Sequence, residues 1–223
     1  MTLLKRLFAA VTVAGVMAAG AAHAGEPYTT LPQPQPTQSK DKIEILEFFS
    51  YHCPHCYHLD PGISAWAAKL PADVQFRRVH VAWPGMTNIQ PYTKLFHTMQ
   101  ALGVQDKLHT KLFDAVQRDK VEVRNPEIAA DWFSKQGVDK AKFNQAWSSF
   151  GVESAARQAE NISKNYRVDG VPTVIVNGKY KTSLADVGGE SQLFALLDQL
   201  IDQERKAMGG KKPADSKKPA EKK

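Results

Sequence analysis

The run Ile43 to Phe49, IEILEFF, is apolar at nearly every position, which is the pattern of a strand buried on both faces of a sheet. Glu47 interrupts it, and the pattern leaves two readings open, a wet strand edge or a carboxylate buried inside. Val74 to Val81, VQFRRVHV, alternates with period two and reads as a second strand. Between them, Tyr57 to Leu70 sets Leu59, Ile63, Trp66, Ala67 and Leu70 on one helical face. Strand, helix and strand in that order predict a βαβ unit with a parallel pair. Arg78 lies where it could partner Glu47, but the rarity of buried arginine favours a solvated residue at the strand end. Upstream, Gly25 to Lys42 is rich in proline and glutamine and reads as an irregular lead-in with a short edge strand near Tyr28 to Leu31.

After Trp83-Pro84-Gly85 the period turns helical for about 80 residues, too long for a loop and therefore an insertion. Its pieces are Ile89 to Leu102, Gln105 to Arg118, a helix capped by Asn125 with Pro126 in its first turn, Asp139 to Phe150 ending at Gly151, and Val152 to Tyr166. Leu95, Phe96, Met99, Leu108, Leu112, Phe113, Trp132, Phe133, Phe143 and Trp147 recur at helical spacing and read as a small core. Asn161-Ile162-Ser163 matches a glycosylation sequon, which its helical setting makes incidental. Then VDGVPTVIVNGKY returns to β. Val174 to Val176 and Lys179 to Thr182 flank Asn177-Gly178, a strong hairpin signal, and Gly170-Val171-Pro172 is a candidate cis-proline turn. A last amphipathic helix, Glu190 to Lys206, turns Leu193, Leu196, Leu197, Leu200 and Ile201 to one side.

Charge changes the picture mainly at the ends. The chain has 223 residues with 29 Lys and Arg against 23 Asp and Glu, a formal +6. The first 24 residues, with Lys5 and Arg6, an apolar run from Leu7 to Ala19 and Ala22-His23-Ala24, read as a Sec-type signal peptide cleaved after Ala24. That stretch carries +2 and the lysine-rich tail from Gly209 to Lys223 carries +4, so residues 25 to 208 are formally neutral. A nucleic-acid reader should concentrate basic residues on a folded face, so that class is set aside. The tail itself reads as a solvated, low-complexity extension.

The chain has two cysteines, Cys53 and Cys56, in the sequence SYHCPHCY directly after the first strand. That spacing fits the first turn of a helix, where the leading sulfur meets unpaired N–H groups that stabilise a thiolate. Pro54 suits a first turn, and His55 between the sulfurs should lower the Cys53 thiol further. Thiol–disulfide exchange follows as the chemistry, with Cys53 exposed and Cys56 deeper and resolving. A structural disulfide would close so short a loop that it would be a poor staple. A zinc site could recruit His52, His55 or His58 but lacks a second ligand pair, so neither metal nor other cofactor is expected. An export signal with a single CxxC indicates an oxidising compartment and a working pair.

Glu47-Phe-Phe-Ser-Tyr-His-Cys53-Pro-His-Cys56-Tyr, the Gly170-Val171-Pro172-Thr173 turn and the Val176-Asn-Gly-Lys-Tyr180 hairpin together resemble the DsbA family of bacterial periplasmic thiol:disulfide interchange proteins. The resemblance spans residues 28 to 206. It implies an α/β thioredoxin fold, a central mixed β-sheet flanked by helices, with an inserted all-helical subdomain. The chain then divides into the signal peptide 1–24, thioredoxin-like parts 25–84 and 161–208 around an insertion 85–160, and the tail 209–223. It implies an oxidase that donates a Cys53–Cys56 disulfide to newly exported, unfolded polypeptides and is reoxidised by a quinone-linked membrane protein resembling DsbB. Carried over, Cys53 is the nucleophile and Cys56 the resolving thiol, with Pro54, His55 and a buried Glu47 tuning them. Val171 and Pro172, a cis pair, take substrate together with His52. Arg78, where the family often has lysine, departs from the pattern, as does the tail. A periplasmic reductase or isomerase and a peptide-binding chaperone without redox turnover are the competing readings; a monomer is expected.

Overall fold

The computed structural model describes residues 26–209. The expected signal peptide and residues 210–223 of the tail lie outside the described residues.

Five strands form one mixed sheet in the order β1-β5-β4-β2-β3. β2 (Ile43–Phe49) occupies an inner position, and all seven of its residues are buried, as its apolar run predicts. It pairs in parallel with β3 (Val74–His80) and antiparallel with β4 (Thr173–Val176). β4 turns at Asn177-Gly178 into β5 (Tyr180–Ser183), and the short edge strand β1 (Thr29–Thr30) closes that side. Asn177 and Gly178 both take positive φ, 49° and 66°, the conformation that a tight hairpin needs and that Asn and Gly tolerate.

Helix α1 (Pro54–Ala67) crosses between β2 and β3 and packs Leu59 and Ile63 against Ile45, Val174 and the helix α8 (Glu190–Ala207). Between β3 and β4 come α2 (Gln90–Ala101), α3 (Gln105–Gln117), α4 (Pro126–Lys135), α5 (Lys140–Trp147) and α6 (Phe150–Asn165). A further short helix, α7 (Leu184–Val187), was not legible in the pattern.

One boundary differs from expectation. Gly151 does not end a helix; it lies inside α6, and the break falls at Ser148-Ser149, where the Ser149 hydroxyl caps the amide of Val152 at 3.2 Å. A serine that satisfies an orphan amide starts a helix more effectively than a glycine stops one. The helical core is continuous with the start of α1: Phe49, Tyr51 and Cys56 bury with Phe96, Phe113, Phe133 and Phe143. α6 packs Ala159 on the opposite sheet face with Leu46, Phe48 and Ile175. The insertion is therefore packed onto the segment that carries both cysteines.

Candidate active site

β2 ends at Phe49, and the chain turns through Ser50 to His52 before α1 begins. The Cys53 amide donates to the Ser50 carbonyl at 3.0 Å, which closes that turn. Cys53 is the N-cap of α1, in extended conformation at φ −88° and ψ 116°, and Pro54 occupies the first turn. A sulfur thus takes the place of the usual capping oxygen: Sγ of Cys53 accepts the Cys56 amide at 3.4 Å. The Cys53 thiol also reaches the Val171 carbonyl at 3.4 Å. The two cysteines are unbridged in this structure.

Their environments are opposite. The Cys53 thiol is pulled down from an ordinary 9.0 to about 6 by the hydrogen bond from Cys56, by the amides of Cys56 and His55, and by the charge of His55, against the opposing effect of burial. Cys56 is fully buried, and that burial pushes its thiol far up. The Cys53 sulfur and the Glu47 charge act in the same direction. One sulfur is therefore a half-buried thiolate near neutral pH and the other a protonated thiol held behind it.

Glu47 is 2 % exposed, so the inner of its two readings is the observed one. Arg78 is not the solvated strand-end residue expected. Its side chain is 12 % exposed, with Nε 2.8 Å from Glu47 and Nη2 3.3 Å from Asp60 and 2.8 Å from Ser64. The parallel register sets Glu47 directly opposite Arg78, which supplies the physical reason: one guanidinium fork spans two buried carboxylates. Burial raises the Glu47 carboxyl and outweighs the pull of Arg78, while the Asp60 charge raises it further. Burial alone would also raise Asp60. Hydrogen bonds from His109 and Thr110 and the Arg78 charge reverse that and hold its carboxyl below the usual range.

Sequence reasoning missed Asp60, Tyr51, His80, His109 and Gln117. Asp60 sits four residues after Cys56 and four before Ser64, so the three share one face of α1, a spacing that could have marked it. The other four belong to contacts that only the fold brings together.

The remaining expected residues fall on two separate cavities beside Cys53. Val171 and Pro172, joined by a cis peptide bond, line one of about 430 Å³ with His55, Thr173 and Leu184. His52 lines another of about 520 Å³ with Pro54, Tyr92, Gln117 and Lys120, and its exposed ring stacks on Tyr92 at 6.1 Å. The structure thus separates His52 from the Val171-Pro172 pair. Among the described residues no group of three or more His, Cys, Asp or Glu side chains is placed to hold a metal ion.

The family model described as DSBA-like thioredoxin domain matches residues 44–201. The thiol:disulfide interchange protein DsbA of Azotobacter vinelandii is 41 % identical over 201 residues, covering 90 % of this chain and 93 % of its own. The corresponding protein of Pseudomonas aeruginosa is 38 % identical over 184 residues, 82 % of this chain and 86 % of that one. Among solved structures, the crystal structure of Pseudomonas aeruginosa DsbA superposes with a TM-score of 0.77 at 37 % identity, over 82 % of this chain and 94 % of that one. The Neisseria meningitidis oxidoreductase DsbA1 superposes with a TM-score of 0.73 at 32 % identity, over 83 % and 95 %.

Proposed function

The chain belongs to the DSBA-like thioredoxin family, and from that premise we propose that it is a thiol:disulfide oxidoreductase that donates a Cys53–Cys56 disulfide to unfolded exported polypeptides. The observation that carries the direction of transfer is the asymmetry between a thiolate-stabilised Cys53 and a buried, protonated Cys56. Whatever stabilises the Cys53 thiolate stabilises the reduced protein, and so makes the disulfide easier to give away.

The reaction runs in two displacements. A substrate thiolate attacks Cys53 Sγ, the Cys53–Cys56 bond breaks, and Cys56 leaves and takes up a proton. A second substrate thiolate then attacks the substrate sulfur of the mixed disulfide and expels Cys53 as a thiolate. Two substrate thiols are oxidised to one disulfide, and the protein's disulfide is reduced to a dithiol. The half-buried Cys53 is the accessible sulfur for the first attack. Pro54 and His55 set its environment, and Glu47 acts on Cys56. The cavity of Val171 and Pro172 and the cavity at His52 offer two flanks on which an extended substrate segment can lie.

The cycle needs an electron acceptor, for which we propose a quinone-linked membrane protein of DsbB type in the periplasm, reached after removal of residues 1–24. The chain divides into 25–84 and 161–208 around an insertion 85–160, with α6 running through the later junction, and it works as a monomer. The test is oxidation of a reduced, unfolded secreted protein by the oxidised chain from residue 25. The wild type should form substrate disulfides stoichiometrically, and Cys53→Ser and Cys56→Ser, neither of which can hold the Cys53–Cys56 disulfide, should form none. Offered a disulfide-bonded substrate instead, the Cys53 thiolate of Cys56→Ser should displace one substrate thiol and accumulate as a mixed disulfide, which Cys53→Ser cannot do. Equal binding of unfolded substrate by the double serine variant, with no transfer by the wild type, would instead support a chaperone.

A further inference from the structure

Tyr51 lies two residues before Cys53 and is fully buried, and each of its polar groups is held by a side chain from another element. Its amide donates to His80 Nε2 at 3.1 Å, its carbonyl accepts from Gln117 Nε2 at 2.6 Å, and its hydroxyl donates to His109 Nδ1 at 2.7 Å. His80 comes from the end of β3, and His109 and Gln117 come from α3 of the insertion.

The donor pattern fixes both imidazole tautomers. His80 Nδ1 lies 2.9 Å from the Val81 carbonyl, so it carries the proton and leaves Nε2 to accept. His109 Nε2 lies 3.2 Å from Asp60, so it carries the proton and leaves Nδ1 to accept. Burial pushes His80 down to about 3 and lowers His109 as well, which keeps both rings in the neutral form that these bonds require. The Tyr51 ring is wedged against Phe49 and Phe113, with centroids at 5.1 and 4.8 Å.

Such a buried, fully satisfied set of bonds permits one arrangement of the residue at its centre. From Tyr51 the chain has a single intervening residue, His52, before the cap, and the Cys53 amide is bonded back to Ser50 at 3.0 Å. The plane of the Tyr51 carbonyl therefore sets where the cap begins, and with it where Sγ of Cys53 meets the Cys56 amide. A thiolate gains from a helix N-terminus only within the first turn, so a small displacement of the cap is felt.

We propose that Gln117 and His109 of the helical insertion are positioning residues for Cys53: by clamping Tyr51 they hold the Cys53 cap in the geometry that stabilises its thiolate. The insertion then sets the reactivity of the redox pair as well as flanking it. This rests on the reading of Cys53 as the thiolate of a thiol–disulfide oxidoreductase, and extends it to residues outside the cysteine motif.

The deciding variant is Gln117→Met, which keeps the length of the side chain and removes the donor. The Cys53 pKa is read from thiolate absorbance, and the reduction equilibrium with glutathione and the melting temperatures of both redox forms are read on the chain from residue 25. The expected result is a rise of about half a unit in the Cys53 pKa. At neutral pH that corresponds to a shift of about threefold in the equilibrium toward the disulfide form, with the reduced form losing more thermal stability than the oxidised. If Gln117→Met fails to fold, Tyr51→Phe decides, since it keeps the ring and removes only the hydroxyl; the same direction is expected. An unchanged pKa and equilibrium, with both redox forms destabilised equally, would make the clamp merely structural and overturn the proposal. A wild-type Cys53 that titrates at the ordinary thiol value would overturn it by a different route, because the reading beneath it would fall first.

Discussion

The amide of Cys56 points at the sulfur of Cys53 across 3.4 Å, so the backbone of one cysteine helps hold the charge on the sulfur of the other. That charge exists only in the reduced protein, which makes the stability of the two redox forms depend differently on pH. The folded Cys53 thiol is lowered to about 6 from 9.0, so the reduced form gains stability that is fully present above 9, shrinks as the pH falls through this range and is absent below 6. Cys56, raised by burial, begins to act against the reduced form only at alkaline pH, where its unfolded counterpart ionises. Calorimetry of both forms should therefore show the advantage of the reduced over the oxidised protein narrowing from pH 9 toward 6. A gap independent of pH in that interval would contradict the Cys53 assignment.

His55→Ala should make the protein less oxidising. The side chain is exposed and its charge acts on Cys53 through solvent, so the effect is modest, roughly two- to fivefold in the equilibrium constant with glutathione. The His55 amide, which also favours the thiolate, survives the substitution. An equilibrium constant identical to the wild type would remove the imidazole from the account.

Arg78 neutralises two buried carboxylates at once, Glu47 at 2.8 Å and Asp60 at 3.3 Å. Arg78→Met leaves both without a cation and should cost about 3–5 kcal/mol in denaturant unfolding. Arg78→Lys, whose single ammonium cannot span both partners, should cost less, about 1–2 kcal/mol. The pH dependence gives the sign. Without the guanidinium the Glu47 carboxyl, already raised by burial, loses the group that pulls it down and stands further above its unfolded value, so Arg78→Met should regain stability as the pH falls into the carboxylate range. A variant equally destabilised at neutral and acidic pH would show the loss to be one of packing.

Gly178 in the β4–β5 hairpin has φ +66°, and its backbone abuts Gln35, whose amide donates to the Gly178 carbonyl at 2.9 Å. A Cβ at this position would run into the Gln35 carbonyl oxygen. Gly178→Ala should therefore cost roughly 1–3 kcal/mol through strain and displacement of the lead-in. Thermal unfolding within about half a kcal/mol of the wild type would mean the lead-in is not held against the hairpin.

The sequence makes the elements legible where one rule dominates. β2 declares itself by a run that is apolar at every position but Glu44 and Glu47, the β4–β5 turn by Asn177-Gly178, and the Cys53 cap by the CPHC spacing with proline in the first turn. What it leaves unread are relations across the fold. From the sequence Arg78 reads as solvated because arginine is rarely buried; only the parallel register that sets it opposite Glu47, and the helical face that adds Asp60, supply two partners that make its burial tolerable. Tyr51 and His109 are 58 positions apart, and nothing in local periodicity couples them. At the break between α5 and α6 a glycine and a capping serine compete as boundary signals, and the hydroxyl bond to the Val152 amide decides between them.

The central claim is that the protein is tuned to give its disulfide away, and the reduction potential of the chain from residue 25 in glutathione buffers tests it most directly. On the thioredoxin-family scale, whose oxidising end is itself a DsbA, thioredoxin lies near about −270 mV and DsbA near about −120 mV. A lowered Cys53 thiolate in front of a buried Cys56 predicts a potential toward the oxidising end, with the reduced form the more stable. A potential near that of thioredoxin, with the oxidised form the more stable, would mean that the pair is tuned to reduce and would contradict the account.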